Sequence, residues 1–223
     1  MLSTKNIKPE GTGGESKTLS PGNVKCKLNS LEIREFPYEA GALELILNLE
    51  TEDMGSDFTG FQIDKEDPTK GNYKGKIGRV NASQWAYKNG TTKSGIEVNR
   101  DMSMLKFIKQ LCDALEITAW FESQDNKHAT IESFVKAFNT DKPYANIFMN
   151  YCLSGKEYVN KGGYPAYNLF LPKFSKDKVP FSKEPKKVYT FNEADHVIRK
   201  KQETVSEFGK DEPLDSGEPD FSV

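Results

Sequence analysis

The sequence predicts an α+β domain, mainly β, organised as a small barrel with helices inserted into it. Three observations carry that prediction. Two runs near the start alternate apolar and polar residues, the period turns helical between residues 101 and 139, and the β pattern returns after Pro143 to end in a hairpin.

The elements follow in order. Residues 1 to 21 hold Pro9, Gly11, Gly13, Gly14 and Pro21 with almost nothing apolar, which predicts a flexible arm. From Gly22, "NVKCKLNSLEIREF" sets Val24, Cys26 and Leu28 against lysines and polar residues, as a half-buried strand does. "GALELILNLETE" follows the turn signal "PYEAG", so the two runs form a long antiparallel hairpin. "FTGFQID" (58–64) is read as a third strand. Residues 65 to 95 show no sustained period and carry glycines at 71, 75, 78, 90 and 95, which reads as a loop or extended β insertion. Asp101 is expected to cap a helix whose Met104, Phe107, Ile108, Leu111, Cys112 and Leu115 form one apolar stripe. A second helix is expected over Thr130 to Asn139, with Ile131, Phe134, Val135 and Phe138 inward. "NIFMNYCLSGKEYV" and "YPAYNLFLPKF" then pair across the turn "NKGG". "SKDKVPFSKEPKKVYTF" reads as extended, and Asn192 as the cap of a last helix reaching about Phe208. The predicted division is therefore an arm (1–21), a barrel domain (22–190), a C-terminal helix (191–208) and a disordered acidic tail (209–223).

Composition narrows the function classes. No apolar run approaches the roughly eighteen residues of a membrane span, and the N-terminus lacks the apolar core of a signal peptide, so a cytoplasmic location is expected. Cys26, Cys112 and Cys152 stand far apart and odd in number, as buried reduced thiols would. With His128 and His196 alone and no Cys-x-x-Cys, zinc ligand spacing is missing and no cofactor is expected. The net charge of −2 conceals an asymmetry: from Gln202 onward seven acids face Lys210 alone, so the tail carries −6 and the remainder +4. Between Lys156 and Lys201 eleven basic residues face five acids, a distribution that attracts polyanions.

Two stretches interleave rings with cations. In the closing hairpin, pairing of Val159 with Tyr164 would set Lys156, Tyr158, Pro165 and Tyr167 on one face, a surface on which bases could stack while lysine meets phosphate. In the long loop, Lys74, Lys76, Arg79, Trp85 and Tyr87 repeat the combination. The bland readings are that tyrosine suits strands, that lysine keeps an edge soluble and that Trp85 plugs the barrel end. "GTGGESK" (11–17) lacks the spacing and context of a phosphate loop. Asp53, Asp57, Asp64, Glu66 and Asp67 could hold magnesium for a nuclease, but stand in turn-rich sequence where solvated carboxylates are the rule. His128 and His196 read as surface residues, and no serine or cysteine has a recognisable base partner, so no enzyme is predicted.

A strand hairpin, a third strand, a helical insertion and a closing hairpin is the element order of an OB-fold barrel, with the insertion between its third and fourth strands. In "GNVKCKLNSLEI", "LELILNLETE", "GFQIDKEDPTKGNYKGKIGRV", "LKFIKQLCDAL" and "GKEYVNKGGYPAYNLFLPKF" the chain resembles phage-encoded OB-fold single-stranded-DNA-binding proteins, of the replication modules of crAss-like and related tailed bacteriophages. The resemblance spans roughly residues 20 to 180. It implies sequence-independent coating of single-stranded DNA during phage replication or recombination. It further implies that an acidic tail with an aromatic end modulates binding or recruits replication proteins. Asp220 and Phe221 match that tail, although Ser222 and Val223 follow the ring. Single-stranded DNA, replication proteins and further copies of the chain are thus the expected partners, with no membrane. The alternative is a virion or host-interaction protein that docks through the same rings.

Overall fold

The computed structural model describes residues 18–51, 77–162 and 165–199. Strand β1 (Gly22–Glu35) opens the barrel with the expected alternation, Val24, Cys26 and Leu28 being buried. A bulge between Leu28 and Ser30 adds one residue, so the inward set continues at Leu31 and Ile33, and the strand bends. Strand β2 (Leu43–Thr51) pairs antiparallel with it and turns Leu45, Leu47 and Leu49 inward.

The third barrel strand is β3 (Ile77–Asn81), with Val80 inward and Gly78 leaving room for Leu19. In sequence this stretch reads as part of the long loop, because five residues containing a glycine show too little alternation to register as a period. The predicted strand at 58–64 lies outside the described residues. The start of the domain moves upstream of residue 22. Leu19 is buried and its N–H donates to the Ile77 carbonyl, so residues 18–21 belong to the barrel and not to an arm.

A short hairpin of two-residue strands, β4 (Gly90–Thr91) with β5 (Glu97–Val98), leads into the helical insertion. Helix α1 (Arg100–Leu115) buries the six predicted residues, but Asn99 rather than Asp101 caps it, its side chain accepting from the Met102 N–H. Asp101 sits in the first turn, where its charge favours the dipole. Helix α2 (Thr118–Ser123), not anticipated, is too short to show a period. Helix α3 (Ile131–Asp141) starts at a Thr130–Ser133 capping box and buries Ile131, Phe134, Val135 and Phe138 as expected. Its Asn139 amide both accepts from the Leu31 N–H (2.9 Å) and donates to the Leu31 carbonyl (2.7 Å), tying the helix to β1 beyond the point where the closing strand leaves it.

That closing strand, β6 (Phe148–Val159), pairs first with β1 and then with β7 (Pro165–Phe170). Since β7 lies parallel beside β3, the order β1-β2-β3-β7-β6 returns to β1 and closes an OB-fold-like five-stranded barrel with the helices inserted between its third and fourth strands. All three cysteines are free and buried in this body, and no helix among the described residues is long and apolar enough to cross a membrane.

The register of the closing hairpin differs from the expected one. Val159 faces Pro165, not Tyr164, so Tyr158 opposes Ala166 and Tyr167 opposes Glu157. A one-residue slip exchanges faces. Tyr158 therefore shares a face with Lys156 and Asn168, while Tyr167 lies on the face of Gly155 and Leu169.

The segment after β7 is less extended than predicted. Strand β8 (Phe181–Ser182) adds to β6, a 3-10 turn occupies Pro185–Lys187, and Phe181 and Val188 are buried. Asn192 does cap a helix, but α4 (Glu193–His196) ends after four residues because Val197 and Ile198 form β9, which lies parallel along β6. His196 is buried against Phe191 and Tyr189, contrary to its expected surface position.

Candidate functional site

The outer face of the barrel wall follows from the register. Glu32 and Arg34 on β1, Glu44, Ile46 and Asn48 on β2, Ile77, Arg79 and Asn81 on β3, Asn168 and Phe170 on β7, and Lys156 and Tyr158 on β6 all point the same way. Much of this face forms the floor of an open groove of about 1530 Å³. One wall is the β1–β2 turn, Phe36 to Glu39, another is Gln84 to Lys88 after β3, and a third is the β6–β7 hairpin. Its volume exceeds the roughly 300–1,000 Å³ of a small-molecule pocket, so the shape suits an elongated ligand.

Among the described residues three aromatic rings are exposed, and all three line this groove: Tyr38 (86%), Trp85 (66%) and Tyr158 (40%). They come from the three separate walls. The Tyr38 and Phe36 rings meet in a T-shaped pair with centroids 5.4 Å apart, a contact that braces Tyr38 while leaving it largely exposed. Ile77 adds an exposed apolar side chain, and Ile46 is buried beneath the floor. Asn81, Gln84 and Asn168 supply amides that can donate and accept.

Three of the four cations that line the groove are matched locally, and the fourth, Lys156, is exposed and forms no ion pair among the described residues. Arg79 donates to Glu32 (2.6 Å), Arg34 to Glu44 (2.6 Å) and Lys88 to Glu39 (2.9 Å). At the hairpin wall Arg199 reaches back from the segment after β9, donating to Glu157 (3.0 Å) and to the Tyr167 hydroxyl (2.7 Å), and pairing also with Glu193. Burial pushes the Tyr167 hydroxyl up to about 12, against the opposing pull of the Arg199 guanidinium. Tyr167 is thus an anchored ring at the groove edge.

Of the predicted contact residues, the structure brings Arg79, Trp85, Lys156, Tyr158 and Tyr167 to the groove. Tyr87 is not among them. Its backbone exchanges hydrogen bonds with Leu43 (2.7 and 2.9 Å), its ring packs against the core, and burial raises its hydroxyl pKa well above the ordinary value. Trp85 and Tyr87 diverge because residues two apart in an extended segment share a face only if the segment stays straight, and here Ser83 to Trp85 turn. Lys74, Lys76, Asp220 and Phe221 lie outside the described residues. Sequence reasoning missed Tyr38 and Phe36, although two rings flanking a proline in a turn have no strand face to cover them.

Among the described residues no group of three His, Cys, Asp or Glu side chains is placed to hold a metal ion, and the acids from Asp53 to Asp67 lie outside them. Comparison with protein-family models, with curated proteins and with solved structures finds no match.

Proposed function

We propose that the groove binds single-stranded DNA without reading its sequence, as a coating protein of phage DNA replication or recombination would, and that it does so without catalysis. The observation that carries this reading is the convergence of Tyr38, Trp85 and Tyr158 from three segments onto one groove over β2 and β3. The β2–β3 face and its flanking loops are where OB-folds hold oligonucleotides. Unstacked bases gain about 1 to 3 kcal/mol each on such rings, and every base has a π-face, so the contact tolerates any sequence. Bases in a duplex are already stacked on one another and cannot use them. With three of the groove's four cations paired and Lys156 alone left for a phosphate, stacking rather than phosphate neutralisation is the main contribution within the groove.

Fluorescence anisotropy of labelled oligo-dT and of a matched duplex tests this directly. Single-strand binding well above duplex binding, with quenching of the emission that is lost in Trp85→Phe, is the expected result. The same rings amid balanced charge would also suit a protein partner. Equal affinity for strand and duplex, or none for either, would overturn the DNA reading in favour of that one.

A further inference from the structure

Residues 173–187 carry Lys173, Lys176, Lys178, Lys183, Lys186 and Lys187 against Asp177 and Glu184 alone, a charge concentration that the groove does not absorb. In the structure this stretch is a tethered lobe. The Tyr189 hydroxyl donates to the Lys173 carbonyl (2.9 Å), Ser175 closes a turn with Lys178, and Val179 bridges Val188. The Lys178 ammonium donates to the Lys186 carbonyl (2.6 Å), drawing the two limbs together. Phe174 and Phe181 pin the lobe to Phe107 of α1.

Its charge balance is the reverse of the groove's. Lys183 and Lys187 are paired with Glu116 and Glu184, but Lys173, Lys176 and Lys186 are exposed and form no ion pair among the described residues. The lobe also follows directly in the chain from the strand that ends in the groove floor. Lys173 is three residues beyond Phe170, at most roughly 10 Å of chain. Uncompensated ammonium groups on a braced loop bind phosphates without the entropic penalty of ordering the loop first.

We infer that this lysine lobe is a second contact for single-stranded DNA, holding by its phosphates the part of the strand that runs out of the groove. The inference rests on the proposed reading of the groove. It divides the work: rings in the groove engage bases, and the lobe supplies the salt-dependent part of the affinity. Long strands should therefore bind more tightly, and with a steeper salt dependence, than strands that fill only the groove.

The test compares the full chain with the triple variant Lys173→Gln, Lys176→Gln, Lys186→Gln, after thermal melting shows both folded. Oligo-dT of about 6 and about 30 nucleotides, lengths chosen from the range of OB-fold site sizes, and inorganic polyphosphate are titrated at several salt concentrations. For the long strand, three lost phosphate contacts should lower the slope of log K against log salt by about 2. The short strand should bind both proteins equally, and polyphosphate should bind only the parent. An unchanged slope, or an equal loss for the short strand, would overturn the lobe while leaving the groove reading intact. Failure of both strands to bind, with polyphosphate held by the parent and lost in the variant, would overturn the groove reading and leave the lobe as a polyanion site. Failure of polyphosphate to bind the parent would overturn the lobe.

Discussion

Trp85 and Tyr87 stand two positions apart, yet one faces the groove and the other the core. Truncating such rings should separate function from stability. Tyr38→Ala, Trp85→Ala and Tyr158→Ala are each expected to weaken oligo-dT binding by about 5- to 150-fold, the equivalent of 1 to 3 kcal/mol of stacking, with the melting temperature unchanged. Tyr87→Ala should instead lower stability by about 3 kcal/mol or more, through the cavity it leaves. Anisotropy and thermal melting on the same four variants check both halves. Tyr167 falls between these cases, because its ring reaches the groove while its hydroxyl is held by Arg199 and Glu157.

At the scale of elements, the closing hairpin is positioned by what fits against β6. A Cβ built on Gly155 would stand 2.5 Å from the Pro21 ring and 3.1 Å from the Tyr167 ring. Neither neighbour is the free end of a flexible chain, so Gly155→Ala must displace the N-terminal segment or the hairpin. Overpacking of that kind costs about 1 to 3 kcal/mol, measurable by urea unfolding. Gly90→Ala is the control: nothing lies within 4 Å of its added methyl, and its midpoint should stay within error of the parent. Helix α3 illustrates the opposite device, a polar side chain used as a strand. By engaging both backbone groups of Leu31, Asn139 closes part of the edge of β1 that β6 no longer covers.

For the whole molecule, burial of ionisable groups sets an alkaline limit. Desolvation pushes the thiols of Cys26 and Cys112 from 9.0 to about 12, and burial raises the Tyr151 hydroxyl as well, with the nearby Cys26 adding to the rise. A raised folded pKa means that the unfolded chain ionises first. The contribution to stability is complete below about pH 9 and is lost as pH rises towards 12. Melting temperature in reducing buffer should be level up to about pH 8.5 and fall above it, and the native thiols should resist a thiol reagent until the protein unfolds. A melting temperature level through about pH 10.5 would contradict this.

Patterns of long period were legible from the residues alone. The β1–β2 hairpin, both amphipathic helices with their inward residues, and the return of β structure after Pro143 are all present, because burial of an alternating or helical stripe is dictated locally. The order of those elements was enough to indicate an OB-fold-like barrel. Short elements escaped: β3 and α2 are too brief to display a period, and the last helix is cut to one turn because β9 finds a partner in β6, a contact across more than 40 residues. The candidate site was legible as a composition of rings and cations but not as a surface. Hairpin register decides which ring lies on which face, so it moves Tyr167 away from Tyr158. Chain closure brings the β1–β2 turn to the same groove and so adds Tyr38. Ion pairs formed across strands, Arg79 with Glu32 above all, set how much of the positive charge is left for a ligand. Each of these depends on residues distant in sequence meeting in space, which no local pattern encodes.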